Sequence, residues 1–178
     1  ENVDWKAGQH GIFKFEDKKV NGKKFRAFSV ASIKAENKII FSTRISDEPS
    51  DFKKYLRTMN IGDKLKMTGP FGGFYIKDYE KPMAMIAGGV GIPPIRALLK
   101  EIESSGKKPR AVEVLYMDSK EEYAYKEYLE SLDKKYEYIN IHFISDRRRF
   151  NKVLNEFTTK YKNDANYFIS GTPNMIKG

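Results

Sequence analysis

The sequence predicts two domains: a small antiparallel β-barrel over residues 1–80, then an α/β domain built on a parallel sheet over residues 81–178. Three observations carry this prediction. Between residues 9 and 80 the apolar and β-branched residues fall in short runs, several of them alternating, separated by glycine-containing turns. Beyond Pro82 the period changes, and short apolar runs alternate with amphipathic helical stretches, the pattern of βαβ units. At the head of the second half, the apolar run Met83–Ala87 meets Gly88-Gly89-Val90-Gly91, after which Ile92, Ile95, Leu98, Leu99 and Ile102 recur at helical spacing.

Taken in order, Gln9–Glu16 alternates around Ile12 and Phe13, and a turn follows at Val20-Asn21-Gly22. Lys24–Ser32 and Lys38–Ser46 have strand composition. Asp51–Thr58 reads as one short helix with Phe52, Tyr55, Leu56 and Met59 on a single face. Asn60-Ile61-Gly62-Asp63 is a turn, and Lys64–Thr68 is a strand closed by Gly69-Pro70. In the second half, strand 83–87 leads to helix 93–104, ended by Ser105-Gly106. Strand 113–116 leads to helix 121–132, strand 139–144 to helix 150–161, and strand 167–170 to a helix starting at Asn174. A sheet of this kind normally continues past that helix, and the first barrel strand is not found. Truncation or disorder at both ends is therefore expected.

Composition narrows the chemistry. The 178 residues include no cysteine, which rules out disulfides, thiolate metal sites, cysteine-bound clusters and thiol nucleophiles within them. His10 and His142 have no ligand spacing around them, so no metal site is expected. No apolar run approaches the roughly 20 residues that span a bilayer, and there is no signal-peptide pattern. The chain opens at Glu1 rather than Met, which leaves open a targeting or membrane segment in a longer parent. The net charge of +9 is dispersed, lysines alternating with glutamates, and only Asp146-Arg147-Arg148-Arg149 is dense. This reads as a solvated basic surface. Nucleic-acid binding has no supporting motif.

Four short stretches carry chemistry. The turn Gly88–Gly91 opens a helix whose N-terminal end suits a phosphate, though the same pattern serves a plain strand–turn–helix and is not a GxGxxG fingerprint. In Arg26-Ala27-Phe28-Ser29, the arginine can hold a phosphate bidentately, the phenylalanine can lie against a planar heterocycle, and the serine can bond to a ring edge. An exposed arginine beside a core phenylalanine would look the same. Gly69-Pro70-Phe71-Gly72-Gly73-Phe74 is a corner loop where backbone must pass closely. Ser170-Gly171-Thr172-Pro173 follows the last strand, as a ligand loop or as an ordinary glycine turn.

In this order and at this spacing, the four stretches resemble the ferredoxin–NADP reductase superfamily, over nearly the whole chain from Trp5 to Lys177. That superfamily includes flavin reductases, reductase components of oxygenases, and the dehydrogenase domains of NADPH oxidases and ferric reductases. The resemblance implies a flavoprotein that passes hydride from NADPH or NADH to FAD and then electrons to an acceptor. It gives Arg26 to the flavin pyrophosphate, Phe28 to the isoalloxazine, and Ser29 to the neighbourhood of N5, with Ala27 between them. Ser42, Thr43, Arg44 and Ile45 would run along the flavin. The pyrophosphate-binding helix start falls on Asp51–Leu56, including Phe52 and Lys53. Lys53 replaces the usual hydroxyl residue but can itself neutralise phosphate, so FAD is favoured over FMN. Gly89, Val90, Gly91 and Ile92 would receive the nucleotide pyrophosphate and bring the nicotinamide to the flavin. Ser170, Gly171, Thr172 and Pro173 match a C-G-P motif, with Ser170 in place of the cysteine beside the nicotinamide. Ser29 and Ser170 are thus the candidate catalytic pair.

The choice of nucleotide is expected at the ends of the second and third α/β strands. Lys120, Ser145 and Arg147 suit a 2′-phosphate, whereas Asp118 or Asp146 would bond an unmodified ribose. The reading leans to NADPH. The acceptor is left open between a haem domain, an iron–sulfur protein, free flavin and oxygen. The resemblance also implies a cytoplasmic location, at the cytoplasmic face of a membrane if a membrane domain lies outside this chain. Two other classes stand beside it: a flavin-free scaffold of the same fold that binds a protein partner, and a binder of anionic surfaces. The intact Arg26-Ala27-Phe28-Ser29 argues against the first and the dispersed charge against the second.

Overall fold

A computed structural model of the chain describes residues 3–172 and Met175. The N-terminal part holds strands β1 (His10–Lys14), β2 (Phe25–Ser29) and β3 (Lys66–Phe71) in an antiparallel sheet of order β2-β1-β3, with helix α1 (Asp51–Arg57) packed beside it. Alternation sets the faces: Gly11 and Phe13 are buried, while His10 and Ile12 are only partly covered. The buried face meets α1 through Phe13, Phe15, Val20 and Phe52, with Phe28, Phe41, Tyr55 and Met67 against them. Burying a large apolar side chain is worth about 1.5–3 kcal/mol, so this aromatic cluster is what anchors a helix only seven residues long.

Two expectations are corrected here. Lys38–Ser46 is not a strand. The buried Ser32 hydroxyl donates to the Lys38 carbonyl (2.6 Å) and accepts from the Ile40 N–H (3.0 Å), so a side chain takes the place of a ladder there. Gly69-Pro70 does not close β3, which runs through it to Phe71 and pairs with β1 across a register shift. Among the described residues the antiparallel unit is therefore a three-stranded sheet.

The C-terminal part holds β4 (Met83–Gly88), α2 (Ile92–Ser105), β5 (Val112–Met117), α3 (Lys126–Lys135), β6 (Ile139–Ile144), α4 (Arg147–Tyr161) and β7 (Asn166–Ser170). The four strands are parallel in the order β6-β5-β4-β7. Met83–Ala87 is wholly buried, as a central parallel strand covered on both faces must be. Helix α2 sinks Ile92, Ile95, Leu98, Leu99 and Ile102 into the same core and ends at Gly106, whose φ of 67° needs a residue without Cβ. Helix α3 begins at Lys126 rather than near residue 121, because Glu121 and Tyr125 take left-handed backbone and residues 121–125 are non-helical. Helix α4 begins at Arg147, three residues earlier than its apolar pattern shows, because the Asp146 carboxylate accepts the Arg149 N–H (2.9 Å) and caps it. The helix expected from Asn174 lies outside the described residues, Met175 excepted.

Candidate active site

The strand order reverses at β4: β5 lies on one side and the last strand, β7, on the other. In open α/β sheets this switch point leaves a crevice beyond the carboxyl ends of the strands. Here the crevice is bounded by the β4 end at Gly88–Gly91 and the β7 end at Ser170–Gly171. The two ends approach as closely as backbone allows. A Cβ on Gly91 would lie 2.2 Å from the Ser170 carbonyl oxygen. Gly89, with φ 51°, turns the chain, and a Cβ there would sit 3.5 Å from the Asp118 carboxylate. Val90 projects from this turn and is 51 % exposed.

Helix α2 presents few donors at its own start. Pro93 and Pro94 occupy its first turn and have no N–H, so the backbone donors at this end belong to Gly89–Ile92. The Ile92 side chain is 1 % exposed and belongs to the core, so only its backbone faces the crevice.

The wall of the crevice at β5 is Asp118, whose side chain is 3 % exposed. Its Oδ2 accepts from Arg44 Nη2 (2.8 Å) and its Oδ1 from the Lys120 N–H (2.9 Å). Burial pushes this carboxyl up, but the bonds from Arg44 and Lys120 outweigh it and hold the group below the usual carboxylate range. The same bond raises Arg44, which also reaches Glu122 at 3.1 Å. Asp118 is thus engaged on both oxygens, and Asp146 is spent as the α4 cap. Ser145 and Arg147 are exposed beside them, and Arg147 makes no ion pair among the described residues.

On the β-sheet side, the motif Arg26-Ala27-Phe28-Ser29 divides between two faces. Arg26 and Phe28 lie opposite Phe13 and Gly11 on the buried face, while Ala27 and Ser29 lie opposite Ile12 and His10 on the other. The Arg26 guanidinium donates to the carbonyls of Lys23 (2.6 Å) and Phe25 (2.9 Å) and to Ser50 Oγ (3.0 Å), beside the start of α1. Its carbon sits 5.3 Å from the Phe52 ring centre. Phe52 itself is fully buried, and its ring packs beneath the Arg26 guanidinium. Phe28 stacks on Phe41 with centroids 4.6 Å apart and planes within 2°, and its ring also packs near Phe13 (5.7 Å) and Phe52 (6.3 Å).

The segment 42–45 lies between the two sheets. Ser42 Oγ bonds the Tyr125 hydroxyl, Arg44 bonds Asp118, and Lys53 Nζ donates to the Arg44 carbonyl. Thr43 Oγ1 turns back to the Arg44 carbonyl at 3.5 Å, and Ile45 is half-buried. Beyond Ser29, the Ala31 carbonyl accepts from Arg96 Nη1 of α2 (2.7 Å), so the end of β2 is held against the nucleotide-side helix. Thr172 is exposed at the β7 end, and Pro173 lies outside the described residues. Sequence reasoning missed Glu36, Arg96 and Tyr125. The available signal was Arg96, a lone charge on the apolar face of α2.

The antiparallel sheet beside the parallel one makes a two-part fold, with a glycine turn at the switch point of the second sheet. The chain belongs to the oxidoreductase NAD-binding domain family, whose model matches residues 85–178. It is 32 % identical over 149 residues to the F subunit of the Na(+)-translocating NADH-quinone reductase of Idiomarina loihiensis, covering 78 % of this chain and 36 % of that protein. It is 34 % identical over 117 residues to the corresponding protein of Shewanella denitrificans, covering 58 % of this chain and 28 % of that protein. The chain thus spans about a third of the length of the curated relatives it matches. Its fold matches the ferredoxin-NADP+ reductase of Plasmodium falciparum with a TM-score of 0.75 at 19 % identity, covering 93 % of this chain and 72 % of that one. It also matches the cytochrome b5 reductase domain of Ulva prolifera nitrate reductase with a TM-score of 0.74 at 19 % identity, covering 97 % and 77 %.

Proposed function

We propose that this chain is the NAD(P)H-oxidising module of a flavoprotein reductase, with residues 1–80 holding FAD and residues 81–178 holding the nicotinamide nucleotide. The observation that carries the reading is the meeting of the Gly88–Gly91 turn with the Ser170 carbonyl at the switch point, beside a segment, 42–45, that Arg44 ties to Asp118 at the end of β5. The donor set suits a dinucleotide flavin: Arg26 is a fixed cation beside the Ser50 hydroxyl, and Lys53 lies close by on α1. When bound, the flavin supplies a hydride acceptor at N5 and onward release of electrons one at a time.

The chain's own work is binding and orientation. Arg26 and Lys53 would neutralise diphosphate charge, and Phe28 would be the aromatic residue on the flavin side. The amides of Gly89–Ile92 would take the nucleotide pyrophosphate, and Ser29 and Ser170, at the ends of β2 and β7, would be the residues that orient the reacting rings. Ser145 and Arg147 receive the adenosine end. The relatives named as components of a quinone reductase support an acceptor beyond this chain, among quinone, haem and iron–sulfur partners. No helix among the described residues is long and apolar enough to cross a membrane. The proposed location is cytoplasmic, at a membrane face if a membrane domain lies outside this chain, a reading that the relatives named as subunits of a Na(+)-translocating reductase support.

The test is the visible spectrum of the purified protein loaded with FAD, before and after anaerobic NADPH or NADH. A flavin band that bleaches is expected. A protein that takes up no FAD sinks the reading and leaves the fold standing.

A further inference from the structure

Arg96 sits where an apolar residue would be simplest. Its neighbours Ile95, Ala97, Leu98 and Leu99 are fully buried, and its own side chain is only 11 % exposed. Withdrawing a guanidinium from water costs several kcal/mol unless it is paired and hydrogen-bonded, and here three of its N–H groups find partners across the boundary between the two sheets. Nη1 and Nη2 grip the Glu36 carboxylate at 3.1 and 2.9 Å, and Nη1 also donates to the Ala31 carbonyl at 2.7 Å. The guanidinium carbon lies 5.3 Å from the Tyr125 ring centre and 5.4 Å from that of Tyr128. The Tyr125 hydroxyl then bonds Ser42. One connected line thus runs from Glu36 through Arg96 and Tyr125 to Ser42, and both of its ends lie in the N-terminal part.

A greasy contact would hold the two parts together without fixing their angle. A bidentate ion pair flanked by two tyrosine rings fixes it, because planar hydrogen bonds weaken steeply when bent. Arg96 also lies one turn beyond the Gly88–Gly91 turn, and Ala31 lies two residues beyond Ser29. We propose that Arg96 and Tyr125 are positioning residues that set the angle at which the nucleotide turn meets the flavin-side residues Ser29 and Ser42. This rests on the hydride-transfer reading above. Neither residue touches the reacting atoms.

The test uses the FAD-loaded protein, which has no cysteine of its own. Ile61→Cys and Lys152→Cys, on exposed positions either side of the boundary, carry spin labels for a distance measurement. Arg96→Met is expected to broaden or shift the interspin distance and to slow anaerobic flavin bleaching on the order of tenfold to a hundredfold. Flavin and nucleotide dissociation constants should stay within about twofold, the split that separates lost orientation from lost binding. Tyr125→Phe keeps the ring on Arg96 and loses only the Ser42 bond, so it should act in the same direction more weakly, and it stands in if Arg96→Met does not fold. Parent-like distances and rates in the variants overturn the proposal. So does slowed bleaching matched by an equal loss of flavin affinity, which marks a merely structural role. A parent protein that binds FAD and is never bleached overturns the hydride reading and the role assigned to these residues in it, while altered distances would still establish the clasp itself.

Discussion

Arg44 Nη2 lies 2.8 Å from Asp118 Oδ2, and this contact joins the segment between the two sheets to the end of β5. The carboxylate is nearly sealed, at 3 % exposure, whereas the arginine is 44 % exposed. The two partners are therefore unequal. Losing the arginine strands a buried charge, while losing the carboxylate frees a side chain that water can reach.

Arg44→Met should accordingly lower the unfolding free energy by about 1–3 kcal/mol, between the limits for exposed and buried pairs. Asp118→Asn should cost less. Urea unfolding of both variants checks the order, and equal losses would refute the asymmetry.

Acid should loosen the join between the parts. At Glu36 burial pushes the carboxyl up, but the bonds from Arg96 and the Ile33 N–H outweigh it, so its folded value lies below the ordinary one. Asp118 is shifted the same way. Groups lowered on folding contribute stability above their unfolded values of about 4, and this is lost as pH falls through the folded values. The urea midpoint should be flat between about pH 7 and 5 and fall below about pH 4. Glu36→Gln with Asp118→Asn should flatten that fall. An unchanged slope would rule these two groups out as its source.

Gly91→Ala adds a single methyl into a space where the Ser170 carbonyl oxygen would be 2.2 Å away. Overpacking of this kind costs roughly 1–3 kcal/mol or forces the β7 end outward. The variant should melt lower and bind the nucleotide more weakly, as read by calorimetry. A parent-like melt would mean that the crevice is wider than the backbone indicates.

Arg26→Ala removes the cation proposed for the flavin diphosphate. A charge-assisted bond of this type is worth about 1.5–3 kcal/mol, so FAD affinity should fall roughly tenfold to a hundredfold with the fold intact. Fluorescence titration of FAD reads this directly, and undiminished affinity would remove Arg26 from the site.

Arg147→Ala tests the adenosine end. With Asp118 engaged and Asp146 capping α4, Arg147 is one of several exposed cations at that end, beside Lys120, Arg148 and Arg149. Its loss should raise KM for NADPH by about tenfold, one charge-assisted contact's worth, and leave that for NADH unchanged. Equal effects on both nucleotides would move the 2′-phosphate elsewhere.

How much of this was legible in the residues depends on the range over which each signal acts. The parallel strands were readable because buried runs such as Met83–Ala87 announce themselves locally, and the glycine turn marks where β4 ends. Lys38–Ser46 has strand composition yet forms none, because the Ser32 hydroxyl captures its backbone groups, and that competition is invisible to propensity. The start of α3 was lost to left-handed backbone at Tyr125, a residue type that rarely adopts it. At the site, the glycines and the Arg26 motif could be named from spacing alone. Phe52 could not be told from a ligand contact, since a core phenylalanine and a stacking one share a sequence pattern. The bridges from Arg44 and Arg96 were out of reach, because their partners lie sixty and more residues away.

The central position of β4 has a consequence for how the chain acquires its shape. β5 and β6 follow it closely in sequence, but the strand that covers its other edge, β7, begins only at Asn166. At ordinary synthesis rates that partner emerges roughly 4–16 s later. Throughout that interval the most apolar strand of the protein presents a row of open amides and carbonyls, a template for pairing with any passing strand. The growing chain is therefore at its most vulnerable to association before residue 166 has left the ribosome, and nascent chains halted short of β7 should be the ones that chaperones retain.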